Sequence, residues 1–399
     1  MAVTLNETPA SNRLHIGFFG KRNSGKSSLI NAFTGQDISI VSDVAGTTTD
    51  PVSKAMEIHP LGQCILIDTA GFDDEGELGG IRVEKTRLAA EKTEIAVIVC
   101  TDAELSEELK WYRFFREKHT PVLMVINKID ILTDIEDIRG RIEAETKTAP
   151  VLMSAKTCQG LDTLREELTR LLPENYGAQF ITGELAGAGD LVLLVMPQDI
   201  QAPKGRLILP QVQTLRELLD KKCLVMSVTT DQLTAALEKL NQQPKLIITD
   251  SQVFPYVYEK KPKNSMLTSF SVLFAAYKGD LPYYVEGVKQ LDKLNEGSKV
   301  LIAECCTHAP LSEDIGREKI PNMLRKRVGA GITIEIVSGT DYPQDLSGYD
   351  LIIQCGACMF NRKYVMSRIE RAKEQNVPMT NYGVTIAHLT GILPHVTLP

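Results

Sequence analysis

The sequence has no apolar run that approaches the roughly 20 residues of a membrane-spanning helix. Residues 1–12 are polar and lack the basic-then-apolar pattern of a secretory signal. Internal repeats and low-complexity segments are also absent from the sequence. We therefore expect a cytoplasmic protein built from ordinary globular domains, with no membrane partner.

The charge balance is acidic, with a formal net charge of -7 over 399 residues. The net negative charge argues against binding of nucleic acid over the whole surface, because phosphate backbones are bound mainly by Lys and Arg. The local basic run Arg325-Lys326-Arg327 fits a solvated helix face better than a binding patch. The length predicts about two or three domains, each large enough to bury its own core.

The eight cysteines are not expected to form a disulfide framework, because a reducing compartment keeps thiols reduced. Four of them stand singly, mostly in apolar runs, and fit small core residues: Cys64, Cys100, Cys158 and Cys223. The other four lie in two short groups near the carboxyl end: Cys305, Cys306, Cys355 and Cys358. The second set requires a chemical explanation.

Residues 1–173 alternate strand-length apolar runs with helical patterns, which predicts an α/β domain. The runs at residues 14–19, 64–67, 95–100 and 122–126 are continuously apolar, as expected for a parallel sheet covered on both faces. A smaller α/β domain is predicted over 178–262, where no chemical motif is found, so docking or dimerisation is its expected role. A third α/β domain, over 265–399, begins with a helix-rich stretch at 265–294. Both cysteine groups follow strands of this domain, and carboxyl-terminal loops of a parallel sheet meet at one edge.

A phosphate-binding loop lies between the first strand and the first helix. Its residues are Gly20-Lys21-Arg22-Asn23-Ser24-Gly25-Lys26-Ser27, followed by Ser28. Backbone N–H groups of such a loop and the helix amino terminus suit phosphate oxygens. Lys26 would neutralise the β- and γ-phosphates as a catalytic residue, and the Ser27 hydroxyl would bind Mg²⁺.

Three further motifs occur in the order expected of a GTPase. Asp68-Thr69-Ala70-Gly71 provides a carboxylate for Mg²⁺ and a Gly71 N–H for the γ-phosphate, and Gly71 is a candidate catalytic position. Asn127-Lys128-Ile129-Asp130 provides a carboxylate that accepts from both N1 and N2 of guanine. Ser154-Ala155-Lys156 completes the base pocket. Adenine lacks that pair of donors, so the motif set predicts GTP as the nucleotide.

The segment Gly46-Thr47-Thr48-Thr49-Asp50 resembles the first switch of the translation-factor-related GTPases that include the tRNA-modifying enzymes. That likeness implies that Thr48 binds Mg²⁺ and senses the γ-phosphate. Phe72 stands where many GTPases have a water-orienting glutamine, and an apolar side chain cannot orient water by hydrogen bonding. Asn23 resembles the K⁺ ligand of this branch, where the cation acts much as an arginine finger does. A role for Asn23 in stabilising the loop alone remains open.

The cysteine groups at the carboxyl end predict a metal site. Cys355 and Cys358 have the spacing with which two thiolates of one turn share a metal, Cys306 adds a third thiolate, and His308 adds a nitrogen. Zinc and a 4Fe-4S cluster are both compatible with this donor set. Cys305 points away from Cys306 if the strand persists, and it is more typical of a core residue than of a ligand.

Together the nucleotide motifs and the cysteine groups resemble the family of iron-iron hydrogenase maturation GTPases, the F-type maturases. The family pattern is Cys-x-His followed by His-Cys-x-x-Cys, whereas here Gln354 replaces the second histidine. The resemblance implies a 4Fe-4S cluster whose fourth iron is bound by His308, by water or by an exchangeable ligand. It also implies a homodimeric scaffold that carries a di-iron precursor to apo-hydrogenase, with two radical-SAM maturases as partners.

Two alternatives remain compatible with the sequence. One is a GTPase that acts in RNA modification or ribosome assembly, which the first-switch likeness favours and the acidic charge opposes. The other is a GTPase switch stabilised by zinc with no carrier role. Tightly bound zinc without labile sulfide would favour the zinc alternative.

Overall fold

The computed structural model describes residues 9–35, 51–71, 77–172, 176, 179–197, 207–305 and 314–399. The chain divides into two compact units, Met1–Tyr176 and Gly177–Pro399. Among the described helices, none has the length and apolar character needed to cross a bilayer.

The first unit contains one six-stranded sheet and five α-helices in its described part. The strands are β1 (Leu14–Gly20), β2 (Val52–Ile58), β3 (Gly62–Asp68), β4 (Ile95–Cys100), β5 (Val122–Ile126) and β6 (Val151–Leu152). The helices are α1 (Lys26–Thr34), α2 (Glu77–Lys92), α3 (Ser106–Glu117), α4 (Ile135–Thr146) and α5 (Leu161–Arg170). The strand order is β2-β3-β1-β4-β5-β6, with β2 antiparallel to β3 and all other pairs parallel.

Burial along the central strands explains this arrangement. Every residue of β1 and β4 is buried, and successive side chains enter the apolar clusters on opposite faces of the sheet. Phe18 lies in one cluster with Leu29, whereas Phe19 lies in the other with Trp111 and Phe115. The continuous apolar runs therefore belong to strands covered on both faces, as the sequence predicted. The edge strand β2 and the two-residue β6 were not predicted.

The described part of the second unit contains two four-stranded sheets, each wholly parallel. The strands are β7 (Leu191–Val195), β8 (Leu224–Val228), β9 (Leu246–Thr249), β10 (Met266–Ser269), β11 (Lys299–Ala303), β12 (Thr333–Val337), β13 (Leu351–Gln354) and β14 (Met379–Asn381). The helices are α6 (Leu209–Asp220), α7 (Leu233–Lys239), α8 (Phe254–Lys260), α9 (Phe270–Lys278), α10 (Leu281–Gly287), α11 (Ile320–Val328), α12 (Arg362–Glu374) and α13 (Tyr382–Leu389). The strand orders are β10-β9-β7-β8 and β12-β11-β13-β14.

One apolar cluster joins the two sheets, since it includes Leu193 and Ile247 of the first and Ile302 and Ile353 of the second. The predicted fold class, a P-loop domain followed by α/β structure with parallel sheets, is confirmed. One detail differs from the expectation of a helix-rich stretch over residues 265–294. Residues 266–269 of this stretch form β10, which pairs with β9 and so belongs to the sheet of the preceding region. A strand this short, directly followed by an apolar helix, shows no periodicity of its own.

Candidate functional site

The phosphate-binding loop connects β1 to α1 and depends on the glycine directly before α1. Gly25 has φ +86°, and a Cβ placed there would lie 2.4 Å from Nδ2 of Asn127. That Nδ2 donates a hydrogen bond to the carbonyl oxygen of Ser24 at 2.9 Å. Any side chain at Gly25 would be strained and would also displace the contact that ties the loop to the base-binding motif.

The side chains predicted to bind phosphate and Mg²⁺ lie next to each other. Lys26 is buried, and its Nζ donates to the carbonyl oxygens of Gly20 at 3.0 Å and Lys21 at 2.8 Å. The Ser27 hydroxyl donates to Oδ2 of Asp68 at 2.5 Å. A hydroxyl and a carboxylate oxygen this close can both face one hard cation. Gly71 follows β3 in a buried position, and Ser28 lies in the first turn of α1.

The residues predicted to bind the base also form one network. Oδ1 of Asn127 accepts from the backbone N–H of Ala155 at 3.1 Å, and Nζ of Lys128 donates to the carbonyl oxygen of Asn23 at 2.6 Å. The Ser154 hydroxyl donates to Oδ1 of Asp130 at 2.6 Å. This bond lowers the pKa of the Asp130 carboxyl, with a smaller contribution from the nearby Lys156. Asp130 is therefore held as a charged acceptor, as recognition of guanine N1 and N2 requires.

A second lysine of the loop has a structural role that the sequence analysis missed. Nζ of Lys21 lies 3.0 Å from Oδ1 of Asp102 and 3.5 Å from Oε2 of the buried Glu108 on α3. Burial raises the pKa of the Glu108 carboxyl to about 7, although the charge of Lys21 opposes this shift. Lys21 thus anchors the loop to the segment after β4 and to α3, whereas Nζ of Lys26 bonds to carbonyl oxygens of the loop itself.

Two predicted positions of the nucleotide site fall outside the described residues. They are the first-switch segment 46–50 with Thr48, and Phe72.

Exchanging Asp130 for Asn should switch the base preference of the site. The amide would present a donor to the N1–H and N2–H donors of guanine, and a hydrogen bond to a charged group contributes about 1.5–3 kcal/mol. We expect binding of GDP to weaken at least about tenfold, with a gain for xanthosine diphosphate, as measured by isothermal titration calorimetry. Asp134→Asn, an exposed position on the same loop, is the matched control. If the Asp130 variant keeps the wild-type ratio of affinities for GDP and xanthosine diphosphate, Asp130 does not recognise the guanine base.

The second candidate site is a cavity of about 520 Å³ in the second unit. It lies where β9, β10, β11, β13 and β14 end, so loops leaving the carboxyl ends of both parallel sheets line it. This is the position at which open parallel sheets bind ligands. The polar and thiol side chains on its wall are Asp250, Ser251, Gln252, Ser271, Glu304, Asp314, Cys355, Cys358 and Tyr382.

Two of the four predicted metal ligands, Cys355 and Cys358, line this cavity together. The backbone N–H of Cys305, two residues after the end of β11, donates to Sγ of Cys355 at 3.2 Å. A hydrogen bond with the Cys305 side chain lowers the pKa of Cys355, whereas burial raises the pKa of Cys305 itself. Cys355 is thus favoured as a thiolate, the form that binds metal. Donor chemistry and position therefore fit a thiolate-bound metal or cluster.

The other two predicted ligands, Cys306 and His308, lie outside the described residues. Within the ranges that the structure describes, no group of three or more His, Cys, Asp or Glu side chains is arranged to hold a metal. Gln354 is buried as the last residue of β13, in register with Ala303 and Asn381. Its Oε1 has no hydrogen-bond partner among the described residues.

Two buried basic side chains that contact the segment 357–360 were also missed by the sequence analysis. Lys278, the last residue of α9, donates to three carbonyl oxygens of the segment 357–360, and Arg368 of α12 stacks on Phe360. A lysine at the end of a helix is typical of a solvated residue that interacts with the helix dipole. No pattern in the sequence distinguishes a buried lysine at that position from an exposed one.

Comparison with known proteins gave three matches to family models. Residues 15–128 match a model described as 50S ribosome-binding GTPase, 181–279 match the Hydrogen maturase F dimerization domain, and 282–399 match the Hydrogen maturase F tetramerization domain. The prediction of a GTPase domain is thereby confirmed.

The individual relatives each resemble a part of the chain. GTPase Der of Wolinella succinogenes is 36% identical over 189 residues, which is 44% of this chain and 39% of that protein. The tRNA modification GTPase MnmE of Bordetella parapertussis is 36% identical over 169 residues, or 42% of this chain and 35% of that one. The chain thus spans less than half the length of these curated relatives. A crystal structure of Era in complex with MgGDPNP and part of 16S ribosomal RNA is 20% identical, with a TM-score of 0.37, and covers 64% of this chain and 99% of that one.

Proposed function

This chain belongs to the hydrogen maturase F family, and on that premise we propose that it is a GTP-hydrolysing scaffold for the di-iron subcluster of iron-iron hydrogenase. It would hold the di-iron precursor during assembly and then deliver it to the apo-hydrogenase in the cytoplasm. The observation that supports this proposal most directly is the position of Cys355 and Cys358 on one cavity at the carboxyl ends of two parallel sheets.

We propose that Cys306, Cys355 and Cys358 hold a resident 4Fe-4S cluster at this cavity. Cys306 is joined by one peptide bond to Cys305, whose N–H donates to Sγ of Cys355. Three thiolates leave the fourth iron for His308 or an exchangeable ligand, since the amide of Gln354 is a poor iron ligand. When bound, the cluster would supply an iron site and an electron-transfer centre beside the cargo. The described residues contribute the thiolates and the hydrogen bond that favours one of them.

In the first unit, the proposed activity is hydrolysis of Mg²⁺-bound GTP. Lys26 and the loop N–H groups would bind the phosphates, Ser27, Thr48 and Asp68 the Mg²⁺, and Gly71 the γ-phosphate. Asn23 has φ +59°, and its carbonyl oxygen is held by Lys128. This fixed geometry supports the proposal that Asn23 binds a K⁺ ion beside the phosphates. Stimulation of hydrolysis by K⁺ but not by Na⁺ would test it.

We propose that GTP hydrolysis regulates the exchange of partners on the scaffold. The partners are apo-hydrogenase and two radical-SAM maturases, which would bind the scaffold in turn. The alternative role in RNA modification is supported by the first-switch likeness and by relatives that each cover less than half of this chain. The matches to two hydrogen maturase F models, over residues 181–279 and 282–399, favour a role in hydrogenase maturation instead.

The function is tested by activating apo-hydrogenase in a purified assay without oxygen. Scaffold isolated from cells that express both radical-SAM maturases should produce hydrogen-evolving enzyme, and scaffold isolated from cells without them should not. Equal activation by both preparations, or none by either, would contradict a carrier role. Stoichiometric zinc without labile sulfide would favour the zinc-stabilised switch.

We propose that the homodimer forms through the edge of the first four-stranded sheet, in the region predicted over 178–262. The edge strand β8 is apolar, and Leu224 at its start is 57% exposed. The end of the neighbouring helix α6 presents a further exposed apolar residue, Leu219. An unpaired apolar edge strand is a template for pairing with a second chain. The match of residues 181–279 to a dimerization domain supports this position.

Leu224→Glu should therefore weaken the dimer. Burying a leucine side chain contributes about 1.5–3 kcal/mol, and a symmetric interface contains two copies, so we expect at least tenfold weaker association. Sedimentation velocity across a concentration series measures the change. Ile131→Glu, at an exposed apolar residue of the first unit, is the control. Unaltered association of the Leu224 variant would exclude the β8 edge as the interface.

A further inference from the structure

The side chain of Lys21 connects the phosphate-binding loop to the segment after β4 and to α3. Its Nζ lies 3.0 Å from Oδ1 of Asp102 and 3.5 Å from Oε2 of Glu108, and it donates to the carbonyl oxygen of Glu104. Oδ1 of Asp102 also accepts from the backbone N–H of Glu104 at 3.0 Å, so the turn that presents this carbonyl oxygen is itself fixed. An ammonium has three N–H donors, and three acceptor groups surround this one.

The carboxyl group of Glu108 gives this anchor its strength. The side chain is 1% exposed on α3, and burial raises its pKa to about 7, a shift that the charge of Lys21 opposes. Taking one partner away from a buried ion pair is strongly unfavourable, because the other charge stays buried without it. Moving Lys21 away would leave the Glu108 carboxyl buried without the lysine charge, so the Lys21 side chain is held in place.

The backbone of Lys21 in turn holds the phosphate-binding lysine. Its carbonyl oxygen accepts from Nζ of Lys26 at 2.8 Å and from the N–H of Ser24 at 3.3 Å. The carbonyl oxygen of Gly20, one residue earlier, accepts from the same Nζ at 3.0 Å. Gly20 packs closely on β4, since a Cβ placed there would lie 2.6 Å from the carbonyl oxygen of Val99. Two consecutive carbonyl oxygens therefore orient the Lys26 ammonium, and contacts with β4 and the segment after it fix both.

We propose that Lys21 is a positioning residue for GTP hydrolysis, whose anchored side chain fixes the loop carbonyl oxygens that direct the Lys26 ammonium at the phosphates. Lys21 does not touch the nucleotide in this assignment and acts through Lys26. A displacement of about 1 Å at a reacting group can lower a rate by about 100-fold, so a loosened anchor has a large effect. The inference rests on the GTP-binding site and is independent of the cluster and of hydrogenase.

The first test measures kcat/KM for GTP hydrolysis by the full chain from phosphate release. Lys21→Met keeps the apolar stem but removes the ammonium, and we expect a loss of at least about tenfold. Lys21→Arg keeps the charge and the reach and should stay within about threefold of wild type. In a Lys26→Ala background the same Lys21→Met change should alter the rate by less than about twofold, because the group that Lys21 positions is gone. Lys110→Met, at a mostly exposed lysine of α3, should have no effect.

The second test has opposite expected signs for anchoring and for direct contact with the phosphates. Asp102→Ala removes a negative charge and frees the Lys21 ammonium from one partner. If Lys21 bound the phosphates directly, this change would leave hydrolysis equal or faster. Anchoring predicts a loss of at least about threefold in kcat/KM. The Asp102 side chain is half exposed, so this variant decides the question even where Lys21→Met does not fold by circular dichroism.

A wild-type rate in folded Lys21→Met would overturn the proposal, as would a wild-type or higher rate in Asp102→Ala. Equal losses from Lys21→Met in the wild-type and Lys26→Ala backgrounds would also overturn it, since Lys21 would then act on the nucleotide independently of Lys26. Normal hydrolysis by Lys26→Ala would overturn the GTP-site assignment together with this inference. Failure to activate apo-hydrogenase, with the expected hydrolysis rates, would overturn the carrier function and leave the role of Lys21 supported.

Discussion

Lys26→Ala is expected to lower kcat/KM for GTP hydrolysis by about 100- to 1,000-fold, the usual effect of removing one electrostatic donor to a transition state. Lys26 is buried in the loop, and its ammonium contacts two loop carbonyl oxygens from which it can turn to the phosphates. Alanine leaves the loop backbone in place but removes the positive charge. Phosphate release under single-turnover and steady-state conditions measures the loss.

The matched control is Lys110→Ala, which removes a mostly exposed lysine of the same unit. Its hydrolysis rate should equal that of wild type, because a solvated charge on α3 has little influence on the phosphates. A Lys26 variant that hydrolyses GTP normally would contradict the assignment of the phosphate-binding loop.

The same Lys26 variant separates nucleotide hydrolysis from cluster binding. We expect it to take up iron and sulfide as wild type does but to fail in activating apo-hydrogenase. This result would place hydrolysis in partner exchange rather than in assembly. Loss of the cluster as well would indicate that cluster binding depends directly on the GTPase, or that the variant does not fold.

Cys355→Ala and Cys358→Ala are each expected to abolish the reduced 4Fe-4S signal. Both cysteines line the same cavity, and a cluster with three thiolate ligands cannot lose one without opening a further iron. The measurement is the EPR spectrum of dithionite-reduced protein after anaerobic reconstitution, together with iron and labile-sulfide content. Hydrolysis of GTP should be retained, which shows that the first unit remains folded.

Two other cysteines serve as controls for the loss of a thiol. Cys158→Ala removes an exposed thiol of the first unit, and Cys223→Ala removes a buried one of the second. Neither lines the cavity, so both variants should keep the full signal. A full signal in Cys355→Ala, or its loss in the control variants, would contradict the proposed ligand set.

Several parts of the fold were predictable from the sequence because they depend on local patterns. The strands β1, β4 and β5 are continuous apolar runs, and the loop from Gly20 to Ser27 carries its glycines and lysine at fixed spacing. The strands β2, β6, β10 and β14 were not predicted. Both β10 and β14 have four residues or fewer, and their hydrogen bonds are made to partners far along the chain. Pairing with a strand that is distant in sequence produces no hydrophobic periodicity within so short a strand.

The sequence by itself determined the GTPase motifs, the parallel α/β class and the identity of the cysteine ligands to be tested. These follow from residue type and spacing over a few positions. Only the tertiary structure decided that Cys355 and Cys358 line one cavity, and that Lys278 and Arg368 are buried behind their loop. Burial of a charge depends on which distant segments surround it, and a lysine ending α9 has the same sequence pattern whether it meets water or the carbonyl oxygens of the loop after β13.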